Sequence, residues 1–123
     1  MQAENEVILY LTLKKKWFDL TASQIKQEEY REIKDYWVKR LCSKHPGSVI
    51  SGGDLTHKHT LDQYSIKKFT HSLIRLGYGL NAPCLKIETA DITIGKPNPE
   101  WCDNWSADVF IIKHGKIVER YNC

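Results

Sequence analysis

The sequence predicts an α+β fold, a small β-barrel of five or six strands with two short helices. Three observations support this prediction. The length of 123 residues suits one compact domain with one core, which we expect to span residues 1–123. Apolar residues recur in several short runs of strand length, and two other stretches place them at helical spacing. Short strands in this number suit a closed or partly open barrel, because closure removes most exposed edges.

The first four elements alternate between strand and helix. Residues 7–13 form a near-continuous apolar run of β-forming residues, which predicts a central strand. A helix is expected over 14–23, a second strand over 26–33 and a second helix over 35–42. The residues expected to face inward are Trp17, Leu20 and Thr21 in the first helix and Trp37, Val38 and Leu41 in the second.

The second half is expected to begin with a long loop and to end in strands. Residues 43–65 are rich in Pro, Gly, Ser, His and Asp, which is typical of a loop that is functional or mobile. Alternation returns over 67–75, and a third long strand is expected over 84–94. Residues 108–120 read as a hairpin that turns at 114–115.

Composition excludes several classes of protein. With 41% hydrophobic and 27% charged residues, the chain is globular rather than disordered. No apolar run approaches the roughly 20 residues that a membrane span needs. The first six residues lack the basic and apolar regions of a signal peptide. We therefore expect a cytoplasmic protein with no membrane partner, of unknown oligomeric state.

Cysteine and histidine give no metal pattern. The four cysteines are scattered, and none forms the C-x-x-C pair that begins most structural zinc sites. Reduced thiols are the simplest interpretation, although an even number leaves disulfides open. His57 and His59 lie in a polar stretch with glycines, which favours solvated side chains over ligands. We predict no metal and no cofactor.

Positive charge is concentrated in one third of the chain. The formal net charge is only +3, but nine Lys or Arg stand against five acidic residues over 14–44. A phosphate-bearing partner would meet this part of the surface first. Two amphipathic helices with ordinary basic outer faces would produce the same pattern, and both interpretations stay open.

The second predicted strand is unusually charged. Its pleat puts Glu29 and Arg31 on one face, about 7 Å apart at Cα and within reach of each other's long side chains or of one shared ligand. Lys26, at the turn into the strand, can reach either face. The strand is either a charged edge that blocks aggregation or one that carries function. Its position alone favours the first.

Three stretches of the chain resemble the ASCH domain family of PUA-like β-barrels; they are 14–20, 25–31 and 36–41. The family signature is G-x-K-x-x-E-x-R after the first helix, and Lys26, Glu29 and Arg31 match it. Gln24 stands in place of the glycine, so a different backbone conformation is expected in the turn that enters the strand.

The resemblance continues downstream, where 76–83 and 94–97 are similar to the turn and strand segments of small phage and bacterial members. It spans most of the chain, is weakest over 43–65, and implies a single ASCH/PUA-like domain. For a PUA-like fold, this resemblance implies recognition of RNA or modified bases in a cleft beside the barrel.

The leading hypothesis is therefore an RNA- or nucleotide-binding protein that recognises a phosphate-bearing ligand, possibly one with a modified base. Cations would hold phosphates, an aromatic ring such as Tyr30, Tyr78 or Trp37 would stack a base, and Glu29 would accept hydrogen bonds from a base edge. Trp37 and Trp17 are better explained as core residues. The candidate ligand-binding residues are Lys16, Lys26, Glu29, Arg31, Arg40, Arg75 and Tyr78.

Two alternatives stay open. Some members of the resembled family are amidohydrolases of acylated cytidine or ribonucleases, with a threonine nucleophile in the first group that Glu29 replaces here. Glu29 would then act as a general base toward water, and Lys26 or Arg31 would stabilise an oxyanion. The catalytic candidates are thus Lys26 and Glu29. The third class, a non-catalytic phage-type decoy or interaction protein, uses the same residues.

Overall fold

The computed structural model describes residues 5–43, 66–103, 105 and 107–123. The elements in chain order are β1 (Ile8–Leu13), α1 (Lys15–Ala22), β2 (Glu28–Glu32), α2 (Asp35–Leu41), β3 (His71–Leu76), β4 (Cys84–Gly95), a 3-10 helix (Pro99–Trp101) and β5 (Val109–Tyr121). The five strands form one mixed sheet in the order β1-β3-β4-β5-β2. The predicted α+β class with two short helices is confirmed. The expected loop over 43–65, with His57 and His59, lies almost entirely outside the described residues.

At the start of the sheet, the burial of side chains alternates along the paired strands β1 and β3. β1 pairs in parallel with β3, and β3 pairs antiparallel with β4. Leu9, Leu11 and Leu13 are buried while the intervening residues are more exposed, so β1 buries mainly one side. Ile74 and Ser72 continue this buried side in β3. A parallel pair needs a long crossover, and the chain from α1 to β3 supplies it.

The two α-helices are short and amphipathic. α1 buries Phe18 and Thr21, whereas the predicted inward residues Trp17 and Leu20 are only half-buried. α2 buries Val38 and Leu41 as predicted, with Trp37 half-buried. Neither helix, nor any other in the described part of the chain, is long and apolar enough to cross a membrane.

The chain divides into two compact units. The first comprises Met1–Glu28, Lys68–Asp91 and Lys113–Cys123, and the second comprises Glu29–Lys67 and Ile92–Ile112. Within the first unit the buried residues are Lys26 and residues of β1, α1, β3 and β4. Within the second, Tyr30, Val109 and Ile111 form a core cluster against which Trp101 and Cys102 pack. That one domain spans the whole chain stays a prediction.

The predicted hairpin over 108–120 is wrong, because β5 is a single strand of 13 residues. Gly115, read as a turn residue, instead permits a close approach. A Cβ at Gly115 would lie 3.1 Å from the Cβ of Glu88 in β4 and 3.2 Å from its Oε1. The backbone N–H of Lys116 also donates to Glu88 Oε1 at 3.1 Å. The neighbouring strand, rather than a turn, explains this glycine.

Candidate functional site

A cavity of about 200 Å³ lies within the first unit. Its walls come from the end of α1, the segment that leads into β2, and the strands β4 and β5. The lining residues are Thr21, Gln24, Lys26, Gln27, Ile87, His114, Gly115 and Ile117. These residues combine two isoleucines with a hydroxyl, two amides, an imidazole and an ammonium group. A few convergent polar groups beside apolar walls are typical of a small-molecule site.

Among these described lining residues Lys26 carries the formal charge, and it is only 2% exposed. Its Nζ donates to the carbonyl oxygen of Glu28 at 2.6 Å and lies 5.9 Å from the centroid of the Trp17 ring. Buried ammonium groups are rare, because removal of the charge from water is costly unless other groups solvate it. The carbonyl and the ring partly serve this purpose. A cation is therefore held at the wall of a small cavity.

Gln24 ends α1 in a left-handed conformation, with φ of 68°. The N–H of Gln24 donates to Thr21 O at 3.0 Å, and the N–H of Ile25 donates to Leu20 O at 3.1 Å. These two bonds define a Schellman motif with Gln24 at the position that usually holds glycine. The expectation of a different backbone conformation at Gln24 is therefore wrong. The turn keeps a conformation suited to glycine and carries a glutamine side chain in it.

β5 closes the other side of the cavity. The backbone N–H of His114 donates to Gln27 O at 3.0 Å, and the Arg120 guanidinium donates to Ala22 O at 2.9 Å. Both bonds attach β5 to the segment around Gln24. Gly115 has no side chain, and β5 can therefore lie close to Glu88 of β4 at the cavity.

Sequence reasoning identified Lys26 but missed the other lining residues. Gln24 was noted only as a missing glycine, and His114 and Gly115 were read as a turn. One signal was present: a glutamine at a helix end, where glycine is usual, already pointed to an unusual position.

In the second unit, Glu29 and Arg31 form a largely buried ion pair, which their predicted position on one face of the strand allows. An Nη1 of Arg31 lies 2.5 Å from Glu29 Oε2 and 2.7 Å from the carbonyl oxygen of Tyr30. The guanidinium also lies 5.2 Å from the centroid of the Trp37 ring. The side chains of Arg31 and Glu29 are only 14% and 8% exposed. Both groups are thus engaged with protein partners.

Tyr30 faces away from this pair and belongs to the core of the second unit. It is only 1% exposed, and its hydroxyl accepts a hydrogen bond from the backbone N–H of Asn98 at 3.0 Å. A ring buried in this way is not available to stack a base. β2 lies at the end of the strand order, as the edge-strand interpretation predicts. Its side chains do not fit that interpretation, because Glu29 and Tyr30 are both buried.

Two further predicted cations, Lys16 and Arg40, are surface residues. Lys16 is exposed on α1, with Nζ 4.4 Å from the Trp17 ring centroid. Beside it, Lys15 forms an i,i+4 ion pair with Asp19 at 2.7 Å. Arg40, in the second unit, is exposed on α2, with its guanidinium 4.0 Å from the Tyr36 ring centroid. None of these three basic residues lines the cavity.

The turn after β3 carries Tyr78, which is 88% exposed. Gly77 has φ of +69°, and a Cβ there would meet nothing within 4 Å, so its backbone conformation alone explains the glycine. The N–H of Gly77 donates to Leu13 O at 3.1 Å, which ties the turn to the end of β1. The Arg75 guanidinium donates to the carbonyl of Gly79. Tyr78 is therefore presented to solvent near the start of α1.

A second polar cluster in the first unit pairs Lys86 with two carboxylates. Lys86 Nζ lies 2.8 Å from both carboxylate oxygens of Glu6 and 3.9 Å from Glu119 Oε1. The hydrogen bond to Lys86 lowers the pKa of the Glu6 carboxyl, and the same bond raises the pKa of Lys86. Two carboxylates face one ammonium group, so the cluster offers no excess positive charge to a phosphate-bearing ligand.

The four cysteines are free thiols, and burial raises the pKa of Cys42. Within the described ranges, no group of three or more His, Cys, Asp or Glu side chains is placed to hold a metal ion. Among the described residues, the cavity lined by Lys26 has the composition of a ligand site. Comparison of the chain with protein-family models, with curated proteins and with solved structures finds no match.

Proposed function

We propose that the protein is an ASCH-like module that binds RNA or a nucleotide-like ligand, with a base seated in the first-unit cavity. One observation carries this proposal: a lysine that is 2% exposed lines a cavity of about 200 Å³ together with two amides and an imidazole. The position of Lys26 in the K-x-x-E-x-R motif, on which the family resemblance rests, agrees with it.

The size and lining of the cavity favour a base over a whole nucleotide. Drug-sized ligands occupy about 300–1,000 Å³, so 200 Å³ suits one flat ring system. Ile87 and Ile117 supply apolar walls, while Lys26, Gln24 and Gln27 supply groups that read hydrogen bonds on a base edge. Ribose and phosphate would remain outside the cavity.

Phosphates would then follow the basic surface. Lys14, Lys15 and Lys16 stand at the start of α1, whereas Gln24 and Thr21 belong to its far end. An eight-residue helix is about 12 Å long, so an oligonucleotide would contact both ends more readily than a single nucleotide. The exposed ring of Tyr78 is available for stacking near the same lysines.

The test compares Lys26→Met with Lys68→Met by isothermal titration with uridine, cytidine and adenosine, and by fluorescence anisotropy with labelled oligouridine. Lys68 is an exposed lysine of the first unit that does not line the cavity. We expect Lys26→Met to weaken binding about 10- to 100-fold, the usual value of a hydrogen bond to a charged group, and Lys68→Met to change it much less.

Salt separates the two parts of the site. Oligouridine affinity should fall steeply with salt because phosphate contacts release counter-ions, while nucleoside affinity should hardly change. If wild type binds none of these probes, or if both lysine variants bind like wild type, the proposal fails.

A hydrolase is the second candidate, and the buried environment of Lys26 favours it, because desolvated lysines serve as bases in catalysis. The engagement of Glu29 by Arg31 argues against the general base that this route needs, so binding ranks first. Incubation with acetylated cytidine or RNA tests it. Equal product from wild type, Lys26→Ala and Glu29→Gln would remove this candidate.

A further inference from the structure

One residue that lines the cavity, Gln24, has a backbone conformation that disfavours a side chain. Gln24 has φ of 68° and is exposed, and it still lines the cavity. Glycine adopts this conformation without steric cost, whereas other L-residues are strained there. The Schellman motif itself needs only the backbone of this residue. Fold stability therefore does not explain a glutamine at this position.

Residues held in unfavourable backbone conformations cluster at functional sites. Gln24 is one of two glutamines that line the cavity, and the second, Gln27, donates from Nε2 to the carbonyl oxygen of Gln24 at 3.4 Å. The Gln24 backbone is thus held from both sides, by the helix end and by Gln27. Its side-chain amide is the part of the residue left to contact a ligand.

We propose that Gln24 is a specificity-determining residue that reads the edge of a uracil-type base in the cavity; this inference rests on the proposed function. A glutamine amide can make two hydrogen bonds to adjacent groups on a base edge, as it does with adenine in DNA. On uracil, the amide oxygen would accept from N3–H and the amide nitrogen would donate to O4.

Size and charge select uracil among the bases. The volume of about 200 Å³ lies below the roughly 300–1,000 Å³ of drug-sized ligand pockets, which favours one six-membered ring over the larger purine. The described lining residues include an ammonium group and no carboxylate. Lys26 can only donate, so carbonyl-rich uracil fits better than cytosine, which has an amino group in place of O4.

The experiment combines a change in the protein with a change in the ligand. Wild type, Gln24→Gly and Gln24→Asn are titrated with uridine and with 3-methyluridine, which lacks N3–H. We expect wild type to bind uridine at least tenfold more tightly than 3-methyluridine. In Gln24→Gly this ratio should fall toward one, and uridine binding should weaken roughly tenfold. Asparagine tolerates the left-handed conformation and keeps an amide, so Gln24→Asn should retain part of the ratio.

Thermal unfolding checks that the variants are folded. Relief of the strained conformation should raise the Tm of Gln24→Gly by a few degrees. A Gln24→Gly protein that is more stable but has lost the preference for uridine would support the inference. An unchanged uridine to 3-methyluridine ratio in Gln24→Gly would overturn the inference, and so would a lower Tm of this variant. Both results would leave the proposed function standing. Absence of nucleoside binding by wild type would overturn both.

Discussion

Lys26 and Arg31 are two cations of one short motif, and the fold uses them in different ways. Lys26 lies in the first unit, where its buried side chain lines a cavity. Arg31 lies in the second unit, where Glu29, the carbonyl of Tyr30 and the Trp37 ring surround its guanidinium. Proximity in sequence therefore does not imply a shared task. Lys26 has the surroundings of a ligand contact, and Arg31 has those of a structural ion pair.

The largest expected effect comes from the Arg31 side of this comparison. Arg31→Met would leave the Glu29 carboxylate buried beside an apolar side chain. Loss of one partner of a buried pair typically costs 3–5 kcal/mol, and the 14% exposure of the Arg31 side chain places the expected loss near the lower end, at about 3 kcal/mol. Urea unfolding measures it.

The control for Arg31→Met is Arg40→Met, which removes an exposed arginine of the same unit that also lies over an aromatic ring. We expect that variant to lose no more than about 1 kcal/mol. Equal losses in the two variants would contradict the structural role of Arg31.

A medium effect is expected at Gly115, where the cavity meets the strand contact. In Gly115→Ala the new Cβ would lie 3.1 Å from the Cβ of Glu88, a tight contact that requires Glu88 to move by a few tenths of an ångström. Overpacking of this kind costs about 1 kcal/mol, and the shift would also alter the cavity. Uridine titration together with urea unfolding would show both effects. Unchanged affinity in a destabilised variant would indicate that the ligand binds elsewhere.

A smaller change in stability is expected for Lys26→Met, in contrast to Arg31→Met. Methionine fills a similar space without the cost of a buried charge, which offsets the lost hydrogen bond to Glu28 O. The free energy of unfolding should therefore change by less than about 1 kcal/mol, while ligand binding falls. A loss as large as that of Arg31→Met would show that Lys26 is mainly structural.

The smallest effect is expected from the partly exposed pair of the first unit, Glu6 with Lys86. Because the hydrogen bond to Lys86 lowers the pKa of Glu6 in the folded state, the pair stabilises the fold above the unfolded value of about 4.3. This contribution should disappear as pH falls through the lower folded pKa. Unfolding of wild type and Glu6→Gln from pH 7 to pH 2 checks it: their difference should shrink as the pH falls and should already be reduced by salt at pH 7. A constant difference across this range would contradict it.

Local patterns predicted much of the fold. Apolar runs, alternation and helical spacing predicted β1, α1, α2, β3 and β4, because these patterns repeat within a few residues, and β2 was predicted from the charged stretch after α1. The pleat predicted that Glu29 and Arg31 share a face, and their ion pair confirms it. The hairpin prediction over 108–120 failed, because a glycine selected by a neighbouring strand has the same sequence signature as a glycine that turns the chain.

The sequence by itself determined the α+β class, the order of the first six strands and helices, and the shared face of Glu29 and Arg31, since each depends on residues close together in the chain. Only the tertiary structure decided that Lys26 is buried at a cavity and that Gln24 keeps a left-handed turn beside it. It also decided that β5 is one continuous strand that lines the same cavity. These features depend on contacts between α1, β4 and β5, which lie far apart in the chain, and no local periodicity reports them.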